Sequence, residues 1–226
     1  MSTRSLALLS LFFFSFATGA QPPVGSQSQV ASQEPNNQHF RQYKQLVERV
    51  KKGDLTVDFV QLISAASDWD RSEKGVFEPA NREAMVEAFK KKNYKKAVEL
   101  AEVVLDYEFT NRGLHLATAN AYKKLAENEK ADLHSKLAEK ILTALLTTGD
   151  GKSVETAYCV QSINEEYVIM RHFGYKVTSQ AYIMSNMSGY DLLSGKDEKT
   201  GKDVGLYFDI SGLFTRCLQS HQEKKN

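Results

Sequence analysis

Small side chains recur at a fixed spacing of 34 residues through the middle of this 226-residue chain. Ala97, Ala101 and Val104 follow a capping Asn93, after an apolar stripe through Met85, Ala88 and Phe89. Shifting by 34 positions gives Ala131, Ser135 and Ala138, preceded by Ala119 and Tyr122. Helices with small residues at matched places can cross closely, and a constant period of this length implies one helix pair stacked on the next. Helical hairpins are therefore the first constraint on the fold.

The spacing resembles the tetratricopeptide period. The second copy has alanine at all three small positions, Ala119, Ala131 and Ala138, while the first has Met85, Ala97 and Val104. The proline that usually closes the motif is replaced by Phe109 and Thr143. Two imperfect copies are too few for a long superhelix, since about three repeats are needed for one to stand alone.

An earlier pair is predicted from Phe40, Tyr43, Val47 and Val50, stopped at Lys51-Lys52-Gly53, then a helix capped by Thr56 with Phe59, Leu62, Ile63 and Ala66 on one stripe. Residues 67–79 read as a polar loop containing Trp69. Gly149 ends the second copy, and Ser153 is expected to cap a helix carrying Cys159, Ile163, Tyr167 and Met170 as far as Gly174. The period then changes to alternation, with strands predicted over 181–184, 190–193 and 204–208. Ser211 caps a closing helix with Leu213, Phe214, Cys217 and Leu218 inward. The expected class is mainly α (α+β): tetratricopeptide-like helical hairpins, a small three-stranded antiparallel meander over 179–210, and the closing helix. Residues 39–222 form one domain in this reading.

The N-terminus sets the expected compartment. Arg4 precedes an apolar run from Leu6 to Ala17, and small residues follow at Thr18, Gly19 and Ala20. That order is a secretory signal peptide over 1–20, and twelve residues of helix, about 18 Å, fall short of a hydrocarbon core of about 30 Å. A secreted or periplasmic protein without stable membrane insertion after cleavage is expected. Residues 21–38 contain only two large apolar residues, both Val, and read as a disordered leader. Cleavage after Ala20 removes only Arg4 from 29 basic residues and leaves them balanced by 28 acidic ones. No global field then draws the chain to nucleic acid. Cys159 and Cys217 would meet oxidising conditions after export, where a disulfide is permitted and two small buried hydrophobes are the alternative.

Val47-Glu48-Arg49-Val50-Lys51-Lys52-Gly53-Asp54-Leu55, Ala121-Tyr122-Lys123-Lys124-Leu125, and Gly149-Asp150-Gly151-Lys152-Ser153 followed by Glu155-Thr156-Ala157-Tyr158 carry a family resemblance, with Glu165-Glu166-Tyr167 and Leu206-Tyr207-Phe208. From Tyr43 to about Leu218 the chain resembles an exported bacterial family known only as a domain of unknown function, number 4919. The resemblance implies a compartment and an architecture. It carries no activity and no catalytic residues.

The motifs exclude more than they assign. Gly149-Asp150-Gly151-Lys152-Ser153 ends like a phosphate loop, but Leu146 stands where the first glycine belongs and a helix precedes it. Asp68, Asp70 and Ser72 open like a calcium loop that fails at Glu73 and Pro79. His39, His115, His134, His172 and His221 show no metal-ligand spacing, although His115 and His134 can meet across the second helix pair. No metal site, no catalytic set and no cofactor are expected. Asn186-Met187-Ser188 is a glycosylation acceptor that matters only in a eukaryote. The cluster Lys90-Lys91-Lys92 with Lys95 and Lys96 reads as a solvated helix end.

The tetratricopeptide register places Arg82, Phe89, Lys90, Leu116, Asn120, Lys123 and Lys124 on a concave side. Cations and an amide donor there resemble a carboxylate clamp for a peptide's acidic end. The leading expectation is a non-catalytic protein- or peptide-binding module using Arg82, Phe89, Asn120, Lys123 and Lys124. The alternative is a hydrolase-like envelope enzyme, with Glu165 or Glu166 working beside Tyr190 and Asp191 in a cleft between helical body and meander.

Overall fold

The computed structural model describes residues 38–73, 79–185, 187–211 and 214–223, with the side chains of 68–73, 79, 80, 220, 222 and 223 outside the description. The signal peptide, the leader up to residue 37, the side chains of Trp69 and of the calcium-like acidic run, Asn186 and Leu213 lie outside the description. Gln38 already belongs to a helix.

Helices α1 (Gln38–Lys51) and α2 (Phe59–Glu73) form the first pair. The chain reverses at Gly53, whose φ is +90°, and Asp54 accepts the Thr56 hydroxyl. Asp58, rather than Thr56, caps α2 by accepting the amides of Val60 and Gln61. The predicted loop at 67–79 is helix over 67–73, because α2 continues to Glu73.

Helices α3 (Pro79–Lys90), α4 (Tyr94–Leu105), α5 (Arg112–Lys124) and α6 (Asn128–Leu146) follow. The 34-residue period is written into their backbone. Lys92 and Ala126 both take a left-handed φ, 56° and 59°. The amide of Asn93 bonds the Ala88 carbonyl as that of Glu127 bonds the Tyr122 carbonyl, both at 2.9 Å. Ala97 and Ala131 have no exposed surface, and Met85 and Ala119 are buried at matching places. Asn93 and Asn111 cap α4 and α5 by accepting the amides of Lys96 and Leu114. Tyr43 of α1, fully buried, accepts the Phe109 amide at 2.9 Å and so ties α1 to the turn between α4 and α5.

Past α6 the sequence expectation needs correcting. The predicted helix from Ser153 to Gly174 is a 3-10 turn (Val154–Thr156), a short strand β1 (Tyr158–Cys159) and helix α7 (Ile163–His172). Strands β2 (Tyr175–Ser185), β3 (Ser188–Asp197) and β4 (Asp203–Asp209) form the meander, and α8 (Phe214–Glu223) closes the described chain. The sheet order is β1-β4-β3-β2, with β1 parallel to β4. Four mixed strands therefore replace the expected three antiparallel ones. The reason is local: β1 is two residues long and completes its hydrogen bonds only against a distant strand, so no alternating run announces it. Strand β2 starts six residues earlier than predicted because it is a sheet edge, wet on both faces, and needs no regular apolar alternation.

One core joins the two layers. Phe40 and Tyr43, Leu62 and Ile63, Ile141 and Leu145, Ile169 and Met170, Phe208 and Phe214 are all in it and almost without exposure. The loop at Gly149 is its hinge pin. The amides of Asp150 and Gly151 donate to the Thr156 carbonyl, Asp150 Oδ1 accepts the Thr156 hydroxyl at 2.6 Å, and Tyr207 of β4 donates to the Gly151 carbonyl. A Cβ on Gly149 would fall inside the contact radius of the Thr156 and Ala157 carbonyl oxygens, and backbone cannot step aside. Gly149→Ala is expected to lose about 2 kcal/mol or more in urea unfolding. An unchanged midpoint would show that this approach is looser than drawn.

Candidate functional site

A cleft of about 540 Å³ opens where the helix pairs meet α7. Ala66 of α2 and Arg82 of α3 form one side. The α4–α5 turn from Tyr107 through Gly113, with Leu116 of α5, forms the floor, and the segment from Gln161 to Arg171 closes the other side. The turn is held open by its own hydrogen bonds: Asn111 accepts the Leu114 amide and donates its side-chain N–H to Glu108 at 3.0 Å. Glu108 also pairs with Arg82, so the Arg82 charge is neutralised within the protein.

Two other guanidinium groups face this cleft, Arg112 at the start of α5 and Arg171 near the end of α7. Both also line a smaller adjoining hollow of about 210 Å³, with Leu142, Val168 and His172. Among the described residues neither arginine has a carboxylate partner. The Arg112 Nε is cut off from solvent and without a hydrogen-bond partner. Burial, then the positive charge of Arg171, lowers the Arg112 pKa. Glu165, half-buried on the same lining, accepts the Gln161 amide at 2.6 Å, and burial pushes its carboxyl up to about 7.

The residues proposed from sequence are distributed unevenly around this site. Arg82 and Leu116 line the cleft. Phe89 packs between the Met85–Leu105 cluster and the Ala121–Ala131 cluster, so it serves the helix stack. Asn120, Lys123 and Lys124 are exposed on α5 outside the cleft lining. On the enzyme side, Glu166, Tyr190 and Asp191 are buried and do not line the cleft. Glu166 has no exposed surface and, among the described residues, no hydrogen bond to either oxygen. Burial, with help from Asp191 and Glu165, pushes it up to about 8. Asp191 is occupied by the Gln180 amide at 2.5 Å. The carboxyl that reaches the cleft is Glu165, one residue and about 100° around α7 from Glu166. Arg112 and Arg171 went unremarked in the sequence. The only available signal was a basic residue directly after a capping asparagine.

His115 and His134 meet as the sequence allowed, Nδ1 to Nδ1 at 2.9 Å. His115 Nε2 must donate to the Phe109 carbonyl, since a carbonyl only accepts. Its Nδ1 then accepts from His134, whose Nε2 meets Glu102 Oε1 at 3.0 Å, where Tyr122 also donates. Burial pushes His115 down to about 4. Burial raises the Glu102 carboxyl, but the bonds from His134 and Tyr122 outweigh it and hold its pKa below the usual value. These groups are spent on one another and join α4, α5 and α6. Cys159 and Cys217 form a disulfide with His221 beside it, so that cluster of possible metal ligands presents no thiolate.

The family model described as a domain of unknown function (DUF4919) matches residues 33–219. The chain belongs to DUF4919. No curated protein and no solved structure matches it. In this DUF4919 chain the glycine-rich segment is the pin between α6, β1 and β4, and Glu165 from the Glu165-Glu166-Tyr167 segment stands at the cleft. No described helix is long and apolar enough to cross a membrane.

Proposed function

We propose that this DUF4919 protein is an exported, non-catalytic module that binds a protein or peptide segment in the cleft between its helix pairs and α7. The observation that carries the reading is the cleft's lining: apolar walls at Ala66, Leu116 and Val168 beside open polar groups at Asn164, Arg112 and Arg171. Peptide grooves combine those two kinds of surface, apolar area for affinity and placed polar groups for orientation. The matched turns at Lys92 and Ala126 support reading α3–α6 as tetratricopeptide-like hairpins. The apolar run behind Arg4 supports export, to the periplasm or beyond.

Panning a random peptide library against the full chain tests this. Enriched peptides are expected to bind Leu116→Trp, which fills the cleft, at least about tenfold more weakly than wild type. A Lys199→Ala control outside the cleft lining should be unaffected. No enrichment, or equal binding by Leu116→Trp, removes the reading. An Asn120→Ala, Lys124→Ala double variant asks whether the surface extends along α5 to the clamp expected from sequence.

A hydrolase-like activity is the second reading, and one observation favours it: the Glu165 carboxyl, near 7, stands in the cleft as a general base would. Cleavage of an enriched peptide by wild type and not by Glu165→Gln would carry it. Intact peptide after prolonged incubation removes it.

A further inference from the structure

We propose that Arg112 and Arg171 together form an anion-recognition site that takes a carboxylate, presented by a peptide as a chain terminus or an acidic side chain. The inference rests on the binding reading above and names the chemistry of its ligand. Arg112 and Arg171 line one cleft and, among the described residues, have no carboxylate partner, so the two guanidinium groups repel one another. Elsewhere the fold neutralises its cleft cations, as Glu108 does for Arg82. At Arg112 it leaves a buried Nε without a hydrogen-bond partner among the described residues, so part of this guanidinium's desolvation is uncompensated. An arginine fork is the geometry that grips a carboxylate through two parallel hydrogen bonds.

The backbone adds to the same field. Arg112 and Gly113 open α5, and Asn111 already caps the Leu114 amide. The first amides of the helix have no carbonyl partner within it and lie at its positive end. Glu165 on the same lining carries part of a negative charge near neutral pH. Two cations and a partial anion leave the lining net positive, so an entering anion offsets charge that the protein does not. The apolar walls then receive the residues next to that carboxylate.

The test titrates the full chain with four probes at constant ionic strength, following the Arg112 Nε–Hε resonance. These are an acetylated trialanine with a free C-terminus, its C-terminal amide, an amidated Ala-Glu-Ala, and inorganic phosphate. The free-carboxylate or the glutamate probe is expected to shift the resonance, and which of the two does so identifies the source. The neutral amide should leave it unmoved. Arg112→Gln, followed through the Gly113 backbone amide because the reporting Nε–H is gone, and Arg171→Gln are expected to weaken binding at least about tenfold. Arg171→Lys, which keeps the charge and loses the fork, should weaken it too. All three variants should fold with an unchanged melting temperature, or a higher one for the two glutamines, since each of those relieves the repulsion. Equal response to the neutral amide, preference for phosphate, or unchanged binding in the glutamine variants overturns the site. Library peptides that bind the glutamine variants normally would sink this site and leave the binding reading standing. A carboxylate response with no peptide enriched does the reverse.

Discussion

Replacing Cys159 and Cys217 together with alanine is expected to lower the stability of the native protein by about 4 kcal/mol. The bridge joins β1 to α8 across a sequence separation of 58 residues, so its removal frees a long loop in the unfolded chain. Both sulfurs are buried in the main core, beside Phe208 and Phe214, so alanine also leaves a small void on each side. The edge strand β1 should feel the loss first, since it is two residues long and is held otherwise by parallel pairing to β4 alone in the sheet. Urea unfolding of wild type, reduced wild type and the double variant measures it. The last two should both unfold at a lower midpoint, the double variant lower still by the cost of its voids. A double variant within about 1 kcal/mol of oxidised wild type would show that the bridge does not stabilise the fold.

The second large effect belongs to Glu166. Its folded pKa of about 8 lies above the ordinary 4.5, so the native state holds its proton where the unfolded chain has released it. Between those values the native state binds more protons, and stability falls as pH rises. Below about 4.5 both states are protonated and the residue carries no penalty. Glu166→Gln keeps the shape of the protonated acid and cannot ionise. It is expected to match wild type near pH 4.5 and to exceed it by about 4 kcal/mol at pH 8. Thermal unfolding across that range checks the sign. A wild-type curve that does not fall relative to Glu166→Gln would mean that the carboxyl finds a partner the structure lacks. The same burial explains why a strongly shifted acid is a poor guide to catalysis here, since Glu166 is sealed from the cleft that Glu165 reaches.

The helix pairs were legible because their determinants are local. Ala97 and Ala131 must be small where helices cross, Asn93 can cap, and three-residue turns repeat after 34 positions. The β2–β3 hairpin and the covered face of β4, with Leu206 and Phe208, were legible for the same reason. The clamp residues show the limit. A repeat register places Asn120, Lys123 and Lys124 on α5, but it cannot say that α7 will build the wall of the cleft further up that helix, opposite Arg112.

The sequence alone determined the helical period, the positions of small residues and caps, the strand alternation and the family, since each is carried by neighbours within one or two turns. Tertiary structure decided that β1 would pair with β4, which of two adjacent glutamates would be sealed in, and that two arginines 59 positions apart would face one cleft. Those outcomes depend on how α7 docks against the helix stack, a balance of burial and desolvation among residues distant in the chain. No local pattern records that balance.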